Sequence, residues 1–169
     1  MEKGLQAGFD FAASWSAPLD HAFLSPVSTL YGDRPVPPLV PFWVNCFVAP
    51  QPTAQRCFAV GRHIARVVAE GPWNVAVIAT GGLSHFPELS LARLGQSDVA
   101  FDRRVVKWME AGNYEPVTAL TAKELHESGS HELLNWLVLL GAVSPARARI
   151  RFFGEMGRID LAALEWDVA

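Results

Sequence analysis

Apolar residues recur at spacings of three and four between residues 54 and 70, and this pattern predicts an amphipathic helix. Thr53 stands where an N-cap is expected, and Gly71-Pro72 ends the helix because proline cannot continue it. The apolar positions of this helix are Cys57, Val60, Ile64, Val67 and Val68.

The same periodicity predicts four further helical segments. They are expected at about 20–30, 102–111, 121–129 and 131–140. Asp20 is a candidate N-cap of the first, which Pro26 interrupts. Thr121 and Glu124 have the spacing of a capping box, and Ser130 is the expected cap of the last helix.

Continuous apolar or β-branched runs predict strands at 39–48, 74–79 and 149–153. The order strand, helix, strand over residues 39–79 is typical of a βαβ unit, which implies a parallel pair joined by a right-handed crossover. The expected fold class is therefore α/β, with a mixed, largely parallel central sheet and helices on both faces. A chain of 169 residues suits a single domain over 1–169.

Composition excludes several classes of protein. Hydrophobic residues make up 50% of the chain and charged residues 18%, which indicates a packed globular protein. The net charge of -3, without a basic run, argues against a nucleic-acid partner. No apolar run reaches the roughly 20 residues of a membrane span. The amino terminus lacks the apolar core of a signal peptide, so a cytoplasmic chain with reduced Cys46 and Cys57 is expected.

Candidate chemistry centres on Thr80-Gly81-Gly82-Leu83-Ser84-His85, directly after the strand predicted at 74–79. Loops at strand ends often carry function, and a histidine there can act as a general base near neutral pH. Glu132, at the start of a predicted helix, is a candidate partner that we expect to meet His85 in space. The structural alternatives are a histidine that bonds only to the loop backbone and a glutamate that only stabilises its helix.

Other candidates are weaker by position. His21 follows Asp20 and could serve in capping or packing. His131 and Glu132 are neighbours whose side chains diverge on a helix, so they do not easily bind one metal together. The glycine pattern is neither a phosphate loop nor a dinucleotide fingerprint, and the sequence holds no His-Glu-x-x-His helix.

The candidate residues occur in four segments that together resemble the type III extradiol ring-cleaving dioxygenases. These are Leu19-Asp20-His21-Ala22-Phe23-Leu24-Ser25-Pro26, Pro41-Phe42-Trp43-Val44-Asn45, the segment from Thr80 to His85, and Ser130-His131-Glu132-Leu133. Their order and the interval from His85 to Glu132 also match that family, and the resemblance covers about residues 7–143.

The resemblance implies a function for each candidate. Members of the family hold non-haem Fe(II) with two histidines and one glutamate, and cleave a catecholic substrate with O₂. By position, His85 would be the acid/base, Glu132 the metal carboxylate, and His21 the histidine that lines the substrate or oxygen pocket. Ser84, beside His85, would contribute to substrate binding.

One departure from the family leaves three hypotheses open. The two iron-binding histidines of the family precede the Asp-His segment, and this sequence has no counterpart for them. The favoured hypothesis is the carboxyl-terminal part of a dioxygenase completed by a second polypeptide or in a homo-oligomer. The alternatives are a structural or regulatory subunit that has lost the metal, and a metal-independent acid/base enzyme that reuses His85, His21 and Glu132.

Overall fold

The computed structural model describes residues 1–86, 96–156 and 159–168. The chain forms two compact units, Met1–Val44 and Asn45–Ala169. Among the described residues, no helix has the length and apolar character needed to cross a membrane.

The first unit contains helices α1 (Glu2–Gln6) and α2 (His21–Tyr31). The predicted cap of α2 is confirmed, since the Asp20 carboxylate accepts the Ala22 N–H at 3.0 Å. The helix continues past Pro26 to Tyr31, beyond the expected interruption. Aromatic side chains pack this unit. The pairs are Phe9 with Phe11, Phe11 with Phe42, and Phe23 with Trp43.

The second unit contains five helices and one hairpin in its described part. These elements are α3 (Ala54–Ala69), α4 (Val99–Ala111), α5 (Glu115–Thr118), α6 (Ala122–Ser128), α7 (Leu133–Val143), β1 (Arg149–Met156) and β2 (Ile159–Glu165). The caps of α3 and α6 are those predicted, including both hydrogen bonds of the Thr121–Glu124 capping box. The core of the unit includes Val105, Met109, Val117, Leu137 and Leu140, which are fully buried.

Helices α3 and α7 pack against each other at two glycines. A Cβ on Gly61 would lie 1.9 Å from the Val138 carbonyl oxygen, and one on Gly141 would lie 2.0 Å from the Phe58 carbonyl oxygen. Only glycine permits so close an approach of two helix backbones. This contact fixes α7, the helix that follows Glu132, against α3.

The predicted βαβ unit is not formed. In the described residues the one sheet is an antiparallel pair of β1 and β2, which confirms the last predicted strand and adds a hairpin partner. Segments 39–48 and 74–79 contain no strand, and Val75 and Ile78 are 46% and 47% exposed. For the chain by itself the strand prediction was wrong here, because a strand needs a hydrogen-bonded neighbour and the described part of the chain offers none.

The predicted N-cap of α7 was also wrong. The helix begins at Leu133, with Glu132 at the N-cap position and no capping hydrogen bond from a side chain. The Ser130 hydroxyl instead points to Asp102, 3.4 Å away. A polar tertiary contact therefore replaces the local cap that the sequence favours.

Candidate active site

The loop from Thr80 to His85 is held in place by hydrogen bonds from its backbone N–H groups. Its four consecutive N–H groups, from residue 82 to residue 85, donate to four different parts of the second unit. The acceptors are the Glu132 carboxylate, the Asp160 carbonyl, the Asp102 carboxylate and the Gly129 carbonyl. Because each N–H has its own acceptor, the loop is held without belonging to any helix or strand.

Glu132 lies directly against the glycines of this loop. Its Oε2 accepts the Gly82 N–H at 2.5 Å. Gly81 has a φ of +129°, and a Cβ there would lie 2.8 Å from the Glu132 Cβ. The first of the two glycines therefore supplies both an unusual backbone conformation and the space for the glutamate.

Helix α7 holds the other side of the same glycines. The Trp136 indole N–H donates to the Gly81 carbonyl at 3.3 Å, and the Asn135 amide donates to the Thr80 carbonyl at 3.5 Å. Glu132, Asn135 and Trp136 are spaced at three and four along the helix, so they present polar groups on one face. The late helix and the loop thus form one structural site.

The His85 ring has a defined orientation. Its Nδ1 lies 2.9 Å from the Leu83 carbonyl oxygen, and a carbonyl can only accept, so Nδ1 carries the proton in the neutral ring. Its Nε2 is then an acceptor, and it lies 4.0 Å from Glu132 Oε2. The structure therefore brings together the two side chains that the sequence pairs, and leaves the basic nitrogen on the side of the carboxylate.

Ser84 lies inside the protein and bonds to its interior. The residue is fully buried, and its hydroxyl donates to Asp102 Oδ2 at 2.5 Å while accepting the Asp98 N–H at 2.6 Å. These bonds secure the residue immediately before His85. The substrate-binding role assigned to Ser84 stays a prediction.

Glu132 influences two titratable neighbours, Cys46 and His131. Burial, followed by the charge of Glu132, raises the pKa of the Cys46 thiol to about 11. Burial lowers the pKa of His131, and the neighbouring His126 and His85 lower it further, while Glu132 opposes them. His131 also borders a cavity of about 370 Å³ whose polar lining includes Gln51, Thr53 and Thr121.

His21 is the first residue of α2, in the first unit, and is exposed. Its Asp20 neighbour caps the helix, which accounts for that pair locally. The assignment of His21 to a substrate or oxygen pocket stays a prediction.

The described residues do not complete an iron site by themselves. Residues 1–86, 96–156 and 159–168 contain no group of three or more His, Cys, Asp or Glu side chains placed to hold a metal. An Fe(II) site of the facial-triad type needs two histidines and a carboxylate. The described part of the chain offers the carboxylate of Glu132, with His85 beside it.

Two buried acids of the site were missed from the sequence. Asp102 and Asp160 are 0% and 1% exposed, and both contact the loop, Asp102 through its side chain and Asp160 through its carbonyl. A signal existed for Asp102, because it precedes the apolar positions Val105, Val106 and Met109 at helical spacing. An acid on the apolar face of a helix has to be bonded to something inside.

The family of the chain is shown by comparison, and it is a family of aromatic ring-opening dioxygenases. Residues 1–159 match the family described as the catalytic LigB subunit of aromatic ring-opening dioxygenase. The chain belongs to this family, within the type III extradiol dioxygenases, and the resemblance seen in the sequence is thereby confirmed.

Particular relatives are similar over part of their length. Gallate dioxygenase of Pseudomonas putida KT2440 is 32% identical over 143 residues, which are 80% of this chain and 41% of that protein. A 2,3-dihydroxyphenylpropionate/2,3-dihydroxicinnamic acid 1,2-dioxygenase of Mycobacterium sp. MCS is 39% identical over 83 residues, which are 49% of this chain and 26% of that protein. The chain thus spans less than half the length of these relatives.

Proposed function

We propose that this chain takes part in the extradiol (meta) cleavage of a catecholic aromatic ring by O₂ and non-haem Fe(II), with His85 as the acid/base. The observation that carries the proposal is the orientation of His85, with Nδ1 on the Leu83 carbonyl and Nε2 facing Glu132 at 4.0 Å. Family membership supplies the class of reaction.

The geometry suits proton transfer at Nε2. A neutral His85 has its lone pair there and can accept a proton from a substrate hydroxyl. The ring then carries a proton on both nitrogens. The Leu83 carbonyl and the nearby Glu132 carboxylate both stabilise that cation, so His85 can hold the proton until it returns it to the ring-opened product.

The remaining parts of the proposal follow from the family pattern. Glu132 is assigned as the carboxylate ligand of the iron, and His21 as the residue that lines the substrate or oxygen pocket. The missing histidine ligands would come from a second polypeptide or from another copy of this chain. Segments 39–48 and 74–79 would become strands of a largely parallel sheet in that assembly. A cytoplasmic location is part of the same proposal.

The decisive measurement is the iron content and oxygen uptake of the chain purified anaerobically from its native source, with its co-purifying polypeptides. Gallate and 2,3-dihydroxyphenylpropionate are the first substrates to test, because the relatives are named for them. We expect near-stoichiometric iron and ring-opened product from at least one catechol.

The variant His85→Gln tests the role of the histidine, with the exposed His126→Gln as matched control. Loss of general acid/base catalysis should lower kcat by about 100-fold or more, whereas the control should keep the wild-type rate. An unchanged rate in His85→Gln would contradict the proposal and favour a structural subunit. Turnover that survives an iron chelator and the absence of oxygen would instead indicate metal-independent acid/base chemistry.

A further inference from the structure

The carboxylate of Asp102 is the main anchor of the loop next to His85. It lies in the first turn of α4 and is fully buried. Its two oxygens each lie 3.1 Å from the Ser84 nitrogen, and Oδ2 accepts the Ser84 hydroxyl at 2.5 Å. The Ser130 hydroxyl reaches Oδ1 at 3.4 Å, so the carboxylate connects the loop with the segment that leads to Glu132.

Asp160 places a second carboxyl group beside the first. Both of its side-chain oxygens are buried and receive no hydrogen bond from a donor group in the described part of the chain. Its carbonyl oxygen meanwhile accepts the Leu83 N–H at 3.2 Å. Two neighbouring buried carboxyls cannot both be charged at low cost, so Asp160 disfavours the charged form of Asp102.

The titration of Asp102 agrees with this arrangement. Burial raises its pKa to about 7, against the opposing hydrogen bonds from Ser84, and the neighbouring Asp160 raises it further.

We propose that Asp102, supported by Asp160, is a positioning residue that sets the orientation of His85 by holding Ser84 from the protein interior. The proposal rests on the function proposed for His85. Ser84 lies between Leu83, whose carbonyl orients the His85 ring, and His85 itself. Releasing Ser84 would therefore loosen both ends of the contact that fixes Nδ1.

A test independent of catalysis uses nitrogen-15 NMR of the full chain. Asp102→Asn keeps the size of the side chain but replaces one acceptor oxygen with a donor. We expect the Ser84 and His85 amides to exchange about tenfold faster, because one of the two oxygens that accept from Ser84 is lost. We also expect the nitrogen-15 chemical shifts of the His85 ring to move away from the values of the pure Nδ1–H tautomer.

The matched control is Asp98→Asn, the same change on the same helix. Asp98 caps α4 through the Phe101 N–H, a role that asparagine also fills. The NMR signals of His85 in the Asp98→Asn variant should match those of the wild type. Unchanged His85 ring signals and amide exchange in a folded Asp102→Asn would overturn the proposal. If that variant does not fold, Ser84→Ala removes one donor to the same carboxylate and is judged by the same signals.

Kinetics of the active assembly separate this proposal from the proposed function. Asp102→Asn should lower kcat about tenfold with KM within about twofold, since the variant misplaces the acid/base and leaves Glu132 in place. If Asp102→Asn lowers the stability of the protein but leaves kcat unchanged, the positioning role is overturned. A wild-type assembly with no ring cleavage would contradict the proposed function alone, and the NMR signals would still decide the role of Asp102.

Discussion

At the scale of the residue, Gly81 controls how closely Glu132 approaches the loop. Its φ of +129° is open to glycine and strained for any other residue. A side chain at this position would also overlap the Glu132 side chain. Glycine is therefore required at position 81 for two reasons, the backbone conformation and the closeness of the Glu132 side chain.

Gly81→Ala should displace Glu132 and lower stability by about 1–3 kcal/mol through backbone strain. The measurement is the midpoint of urea unfolding, together with the change in the Trp136 indole N–H resonance, since that group donates to Gly81. Gly154→Ala is the control, because its Cβ would meet only the Phe152 ring at an ordinary 3.5 Å. Equal midpoints for the two variants would show that the close approach at Gly81 carries no strain.

Asp102 gives the protein a pH dependence of stability. Its folded pKa of about 7 lies above the ordinary value of 3.8, so the folded state binds more protons between these values than the unfolded state. Stability contributed by this group is thus fully present below about pH 4 and falls as pH rises towards 7, by up to about 4 kcal/mol. Urea midpoints from pH 4 to 7 should fall less steeply in Asp102→Asn. Parallel curves for variant and wild type would contradict this assignment.

The sequence revealed the site residues that a local pattern marks, and missed those that act through distant contacts. His85 follows two glycines and an apolar run, so its local sequence predicts a functional loop. Its partner Glu132 was expected through the resemblance to a family. Asp102 and Asp160 act through contacts 18 or more residues away, and such contacts leave only the faint mark of an acid on an apolar face.

At the scale of the element, the longer helices were predictable, whereas the strands expected at 39–48 and 74–79 were not found. The start of α3 is fixed by Thr53, whose hydroxyl accepts the Arg56 N–H at 3.1 Å, a contact within one turn of helix. The segment 74–79 has the composition of a strand, but a strand exists only with a neighbour. A helix end such as this one is set by residues close in sequence, whereas a strand depends on a partner segment that can be far away in sequence.

The contact between α3 and α7 gives a prediction at this scale. Gly61→Ala would place a methyl group on a backbone carbonyl, which a side-chain rotation cannot relieve. The two helices must separate, and we expect a loss of about 3 kcal/mol, well above the roughly 1 kcal/mol that alanine gains in helix propensity. Unfolding in urea measures the change.

The control for this prediction is Ala69→Leu, which adds more volume on the same helix at an exposed position. It should change stability by less than about 0.5 kcal/mol. A Gly61→Ala variant as stable as the control would mean that the helices do not pack through their backbones.

At the scale of the whole molecule, the second unit presents an apolar run to solvent. Trp73 is 60% exposed, and Val75 and Ile78 are nearly half exposed. No ladder of backbone hydrogen bonds joins residues 74–79 to another strand within the described part of the chain. Exposed apolar segments with unpaired backbone groups favour association with another chain.

We therefore expect the chain alone to self-associate, and a charge in this run to prevent it. Ile78→Glu should shift the mass measured by light scattering towards that of one chain, because a carboxylate there cannot be buried against a partner. Val168→Glu places the same charge at another exposed position, outside the run. The mass measured for this variant should equal that of the wild type. A wild-type chain that is monodisperse as a monomer would contradict this expectation. If the same Ile78→Glu variant also no longer binds the polypeptide that co-purifies with the wild type, residues 74–79 are the strand that the partner completes.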